Sequence, residues 1–182
     1  LNVIVRPSNG QVFNAGGDII TFDLPSRAFM NPASLVLRGV MTTTVAAADD
    51  INKVLGAAPG AAWIQRVETQ IAGQTVESIN AYGQLYNLLV NTELMTGTGV
   101  VNGDVVPGAE NVSSYLLPQA AGAKTSPFAI PLGCLLSNCT NYVPLGMMGG
   151  VRISITTDQL ANFTTQVAAG VGFTLGSLEL AF

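Results

Sequence analysis

Val151-Arg152-Ile153-Ser154-Ile155-Thr156-Thr157 alternates apolar and polar side chains along almost its whole length. Successive side chains of a strand point to opposite faces, so Val151, Ile153 and Ile155 share one side and Arg152, Ser154 and Thr156 the other. One face on a core and one face elsewhere marks an antiparallel sheet; strands of parallel sheets, covered on both sides, read as unbroken apolar runs. This one stretch therefore points to an all-β fold of antiparallel sheets.

Working outward, the same period recurs. Ile20, Phe22 and Leu24 oppose Thr21 and Asp23. Leu35, Leu37 and Met41 oppose Arg38, Thr42 and Thr44, and Trp63, Val67 and Ile71 oppose Arg66, Glu68 and Gln70. Turn chemistry separates the runs, at Asn9-Gly10, Ala15-Gly16-Gly17, Ala72-Gly73-Gln74 and Gly149-Gly150. The last run changes phase: Phe173 and Leu175 share a parity, and Leu178, Leu180 and Phe182 take the other. One extra residue at Gly176-Ser177, a β-bulge, reconciles the two halves. Shared parity predicts a core of Ile20, Phe22, Leu35, Leu37, Trp63, Val67, Ile153, Ile155, Leu178 and Leu180 between two facing sheets.

A single segment departs from the alternation. From Asn80 to Met95 the apolar residues Tyr82, Leu85, Tyr86, Leu88 and Leu89 follow the spacing of one helical face, with Asn80 as the expected N-cap and Gly97 and Gly99 as the stop. A stretch without alternation follows, Thr96 to Ser126, rich in Gly, Pro, Ser and Asn. Loops of this length inside a compact domain are uncommon and usually functional. Because it carries Val100, Val101, Val105, Val106, Tyr115, Leu116 and Leu117, it is expected to be an assembly element whose apolar side chains pack on a neighbour. No repeat or linker divides the chain, so residues 1–182 are read as a single domain.

Composition narrows the function. Only 10% of the residues are charged, against about 25% in an average soluble protein. Either a membrane or other protein chains must cover much of the surface. No uninterrupted apolar run approaches the roughly 18 residues that a spanning helix needs, which leaves burial against partners. The net charge is −4, with no Lys/Arg cluster, so direct nucleic-acid binding is not expected. The N-terminal residues Leu1 to Arg6 show no targeting signal. They lack an initiator Met, which implies a processed chain or a piece of a longer one.

Catalytic constellations are missing. The chain has no histidine, which removes Ser-His and Cys-His pairs and His-ligated metals. Cys134 and Cys139 match no zinc spacing and are read as structural, with a small disulfide loop open to them outside the cytosol. Asp23, Glu68 and Glu77 fall on strands with no evident carboxylate partner. Asp49, Asp50 and Asn52 read as a solvated turn without the ligand pattern of a calcium loop. Gly97 to Gly103 misses the phosphate-loop spacing and follows a helix where the motif needs a strand. The sequons at Asn111, Asn138 and Asn162 are weak signals in a chain rich in Asn and Thr. No cofactor, no metal and no enzymatic activity are expected.

One block carries a family likeness. Trp63-Ile64-Gln65-Arg66-Val67, then Ile71 to Ile79, then Tyr82 and Leu85-Tyr86-Asn87-Leu88-Leu89 resembles a run in double jelly-roll capsid proteins. These are the major capsid proteins of tailless membrane-containing phages, adenoviruses, virophages and polinton-like elements. Phe22-Asp23-Leu24-Pro25, Phe128 to Leu132, Val143-Pro144-Leu145, Val151 to Ile155 and Phe173 to Phe182 resemble further strands of the first barrel. The likeness spans most of the chain and is one of pattern.

The resemblance implies a jelly-roll sandwich and a structural role in a virion shell. The expected partners are copies of the chain and other capsid proteins, with a membrane or inner layer between shell and genome. Length is the departure: the family carries two barrels per chain, and 182 residues hold one. A fragment and a single-barrel shell protein both remain open. The alternative is a secreted or surface jelly-roll module that binds carbohydrate or protein, with Asp49, Asp50 and Asn52 as its polar contacts. A polysaccharide hydrolase would need a carboxylate pair.

Overall fold

The computed structural model describes residues 3–45, 59–95, 122–164 and 172–182. Eleven strands are formed among them: β1 (Ile4–Val5), β2 (Val12–Asn14), β3 (Ile19–Leu24), β4 (Phe29–Met30), β5 (Val36–Val45), β6 (Ile64–Ile71), β7 (Gln74–Asn80), β8 (Gly122–Pro131), β9 (Val143–Pro144), β10 (Val151–Thr157) and β11 (Gly172–Ala181). Helix α2 (Tyr82–Met95) is accompanied by two single helical turns, α1 (Pro59–Ala62) and α3 (Leu160–Phe163).

Antiparallel pairs nest one inside the next. The innermost is the β6–β7 hairpin, closed by Ala72 and Gly73 at φ 50° and 77°, the positive-φ pair whose twist suits a two-residue hairpin. Around it lie β5–β8, β4–β9, β3–β10 and, outermost, β1 and β2 against β11. Rolling this long ribbon brings β11 beside β5 and β10 beside β6. Two facing sheets result, β1 and β2, then β11, β5 and β8; and β3, β10, β6 and β7; β4 and β9 form a third, small sheet. That winding is a jelly roll.

The core fills the space between the sheets. All ten residues expected there are buried, and the core also takes Met41, Ile64, Phe128, Ile130, Phe173 and Leu175. The phase change of the last strand is a real bulge. The β11–β5 register slips between Gly176 and Glu179, and Ser177 sits at φ 50°. Across from it, Gly39 leaves room for the side chain that the bulge turns inward. A Cβ there would stand 2.6 Å from Leu178 Cδ2 and 3.2 Å from the Gly176 carbonyl oxygen.

Three expectations need correction. Asn80 is the last residue of β7, and the break lies at Ala81 (φ 52°), whose carbonyl accepts the Leu85 N–H at 3.0 Å. The expected excursion ends earlier than Ser126, because Gly122–Ser126 is strand and pairs with Met41–Val45. β5 offers a free ladder there, and β8 at the sheet edge tolerates Pro127. The helix also buries a different face from the one its leucines suggest.

Candidate assembly surface

Helix α2 is held at its first turn. The Tyr82 hydroxyl accepts the Gly133 N–H at 2.7 Å, and burial pushes its ionisation well above the ordinary 10.0. Gly83 lies against α1, where a Cβ would come within 2.7 Å of the Ala61 carbonyl oxygen. With Tyr82 and Gly83 buried and Tyr86 half-buried, the arc bearing Leu85, Leu88 and Leu89 is exposed. The leucine spacing is helical, as expected, but these three do not pack into the barrel.

A second exposed apolar group lies at β4 and β9. Phe29 is 72% exposed, Tyr142 68% and Met147 86%, and Phe29 is paired with Pro144 across the small sheet. A hollow of about 620 Å³ opens beside them, with Cys139, Tyr142, Pro144 and Met148 in its wall. The two runs that build it carry no charge of their own, since neither Ala28–Leu37 nor Thr125–Val151 contains Asp, Glu, Lys or Arg. Backbone bonds from Leu132 N to Leu35 O and from Leu145 N to Ala28 O join these two runs. The segment between the two apolar groups is tied down by Glu77, whose carboxylate accepts the Leu135 N–H at 2.6 Å and the Thr69 hydroxyl at 3.1 Å.

Arg27 and Glu77 lie beside this end, while seven other charged residues pair with one another on the outer faces of the sheets. Arg152 bonds Asp23 at 2.7 Å on the outer face of the second sheet, and Arg66 stands 3.6 Å from Glu68. The Arg152 hydrogen bond, with a smaller one from Ser8, holds the Asp23 carboxyl below its ordinary value. On the outer face of the first sheet Glu179 lies between Arg38 and Arg6. Such an arrangement suits contact with an uncharged surface through apolar area and hydrogen bonds. Among the described residues no group of three His, Cys, Asp or Glu side chains could hold a metal ion. No described helix is long and apolar enough to cross a membrane.

No protein-family model matches the sequence, and none of the curated proteins does. Solved structures do match. The mavirus major capsid protein superposes with TM-score 0.52 at 16% identity, over 99% of this chain and 45% of that one. A quasi-atomic model of the PBCV-1 virus capsid gives TM-score 0.50 at 14% identity, over 100% of this chain and 42% of that one. PBCV-1 VP54 fitted into a reconstruction of the virophage Sputnik gives 0.50 at 13%, again over 100% and 42%. The fold is that of viral major capsid proteins. This chain spans less than half the length of each of these three proteins.

Within this capsid-type jelly roll the residues singled out in the sequence fall unevenly. Asp23, Glu68 and Glu77 stand apart, each with the partner named above. Cys134 is buried and its thiol is pushed up by that burial, whereas Cys139 is exposed; the two are not bonded. Val100, Val101, Val105, Val106, Tyr115, Leu116 and Leu117 lie outside the described residues, as do Asp49, Asp50, Asn52 and Asn111. Asn162 donates to Asp158. Sequence reasoning missed the Phe29, Tyr142 and Met147 group. Its one legible signal is the long run without charge.

Proposed function

We propose that this chain is a structural subunit of a virus shell, residing in the virion and assembling with copies of itself and other capsid proteins. A capsid-type jelly roll with an exposed apolar end carries this reading. A protein with so little charge has few groups to keep such an end solvated, and contact with neighbours removes it from water. The chain works by geometry, without catalysis or cofactor. The absence of any Lys/Arg cluster supports a shell separated from its genome by a membrane or inner layer. Residues 100–117 are assigned an assembly role on their apolar content.

Light scattering and electron microscopy of the purified chain test this reading. Concentration-dependent association into regular assemblies is expected. The double substitution Phe29→Ser and Met147→Ser should weaken it about a hundredfold if these side chains anchor the contact. Replacing Val100 to Leu117 with a Gly/Ser linker should leave a folded subunit that no longer assembles. A small monodisperse protein stabilised by added sugars would overturn the proposal in favour of a carbohydrate-binding module.

A further inference from the structure

The edge of the first sheet has a gap, and charge is left over beside it. β1 pairs Val5 with Leu180 and β2 pairs Val12 with Gly176, so among the described residues no strand lies beside Ser177–Glu179 on that side. Between the two strands the chain turns toward β3, where the Ser8 N–H donates to the Thr21 carbonyl and the Asn9 side chain bonds Ile19 and Thr21. The gap is a hollow of about 630 Å³ with Pro7, Val12 and Leu178 in its walls, a size typical of binding pockets. A second hollow of about 420 Å³ shares Ser177 and Glu179 and continues over Val40.

One carboxylate here faces two guanidiniums. Arg38 holds Glu179 at 2.8 Å, while Arg6 reaches it only at 3.4 Å and is 81% exposed. The site therefore keeps a net positive charge, and Arg6, with two of its five N–H donors on Glu179 at 3.4 Å, has donors left for another acid. Residues 96–121 contain Asp104 and Glu110 and no Lys or Arg, among several valines and leucines. We propose that this hollow docks residues 96–121 of a second copy, a carboxylate meeting Arg6 and apolar side chains covering Pro7 and Val12. Among the described residues nothing fills the hollow, and the assembly reading supplies its occupant from a second copy. This rests on the assembly reading above and names the surface that receives the segment.

A charge swap in the full-length chain tests it, read by sedimentation at low and high salt. Arg6→Glu should weaken self-association roughly five- to tenfold at low salt, and less at high salt. Adding Asp104→Lys and Glu110→Lys to the same chain should restore it. If the wild type associates but Arg6→Glu changes nothing, or the combined variant is no better than its parents, the docking site is wrong and the assembly reading stands. If the wild type does not associate, the assembly reading fails. A labelled peptide with the sequence Thr98 to Pro118 then decides the site. Saturable binding to the wild type, weakened by Arg6→Glu and by salt, supports the hollow, and no binding overturns it.

Discussion

The phenolic oxygen of Tyr82 accepts the backbone N–H of Gly133 at 2.7 Å, fastening the first turn of α2 to the segment that follows β8. The two residues are far apart in the chain, and their bond decides how the helix meets the barrel. The ring of Tyr82 is buried beside that of Tyr86, 6.0 Å away. Tyr82→Phe keeps the ring and removes the acceptor. It should cost about 1 kcal/mol, near the low end for a lost hydrogen bond because Gly133 is exposed and water can replace the oxygen. Urea unfolding measures it, and a loss beyond about 3 kcal/mol would mean that the hydroxyl has a further role.

Gly39 and Leu178 compete for one space. Gly39→Ala should destabilise by about 1–3 kcal/mol, the usual range for overpacking, because the new Cβ would stand 2.6 Å from Leu178. Leu178→Ala is destabilising alone, so the double variant should be more stable than the sum of the single losses predicts. Strict additivity in a double-mutant cycle would show that the two side chains do not share that space.

Leu37 is fully buried between the sheets. Leu37→Ala should cost about 2–5 kcal/mol, the range for deleting a core leucine side chain. An unchanged denaturation midpoint would contradict its place in the core.

The two cysteines should differ in reactivity. Cys139 is exposed, whereas Cys134 is 1% exposed and burial raises its thiol above the ordinary 9.0. Only the thiolate alkylates at a useful rate. Mass spectrometry after iodoacetamide at neutral pH should find one adduct on the folded chain, at Cys139, and two in denaturant. A native adduct at Cys134 would show that its pocket opens.

Asp23 gives a pH signature. Its carboxyl titrates below the ordinary 3.8, chiefly through the Arg152 hydrogen bond. A depressed folded value means that the pair's stabilisation is complete above about pH 4 and is lost as the pH falls through the folded value. The pair is half exposed, so the contribution is small. In Arg152→Ala, carbon-detected NMR should show the Asp23 titration moving up toward the ordinary value. No movement would assign the depression to Ser8 instead.

Local pattern carried the all-β class, the core residues and the bulge. A strand shows alternate faces with a fixed period, so the switch from Phe173 and Leu175 to Leu178 and Leu180 announces an extra residue without knowledge of any partner. The strand Gly122–Ser126 was not legible, because Gly-Ala-Lys-Thr-Ser has no alternation and is extended through the ladder that β5 supplies. β4 and β9, two residues each, are too short to show a period.

The candidate surface divides in the same way. Residues 28–37 and 125–151 announce by sequence alone that they carry no charge, since composition is local. Helical spacing at Leu85, Leu88 and Leu89 is local too, and it sets the helix but not the face that is buried. That choice belongs to the tertiary structure. Gly83 admits the Ala61 carbonyl, Gly133 reaches the Tyr82 hydroxyl, and together they turn the leucines outward. Contacts between residues this far apart depend on how the ribbon rolls, and no window of sequence around the helix contains them.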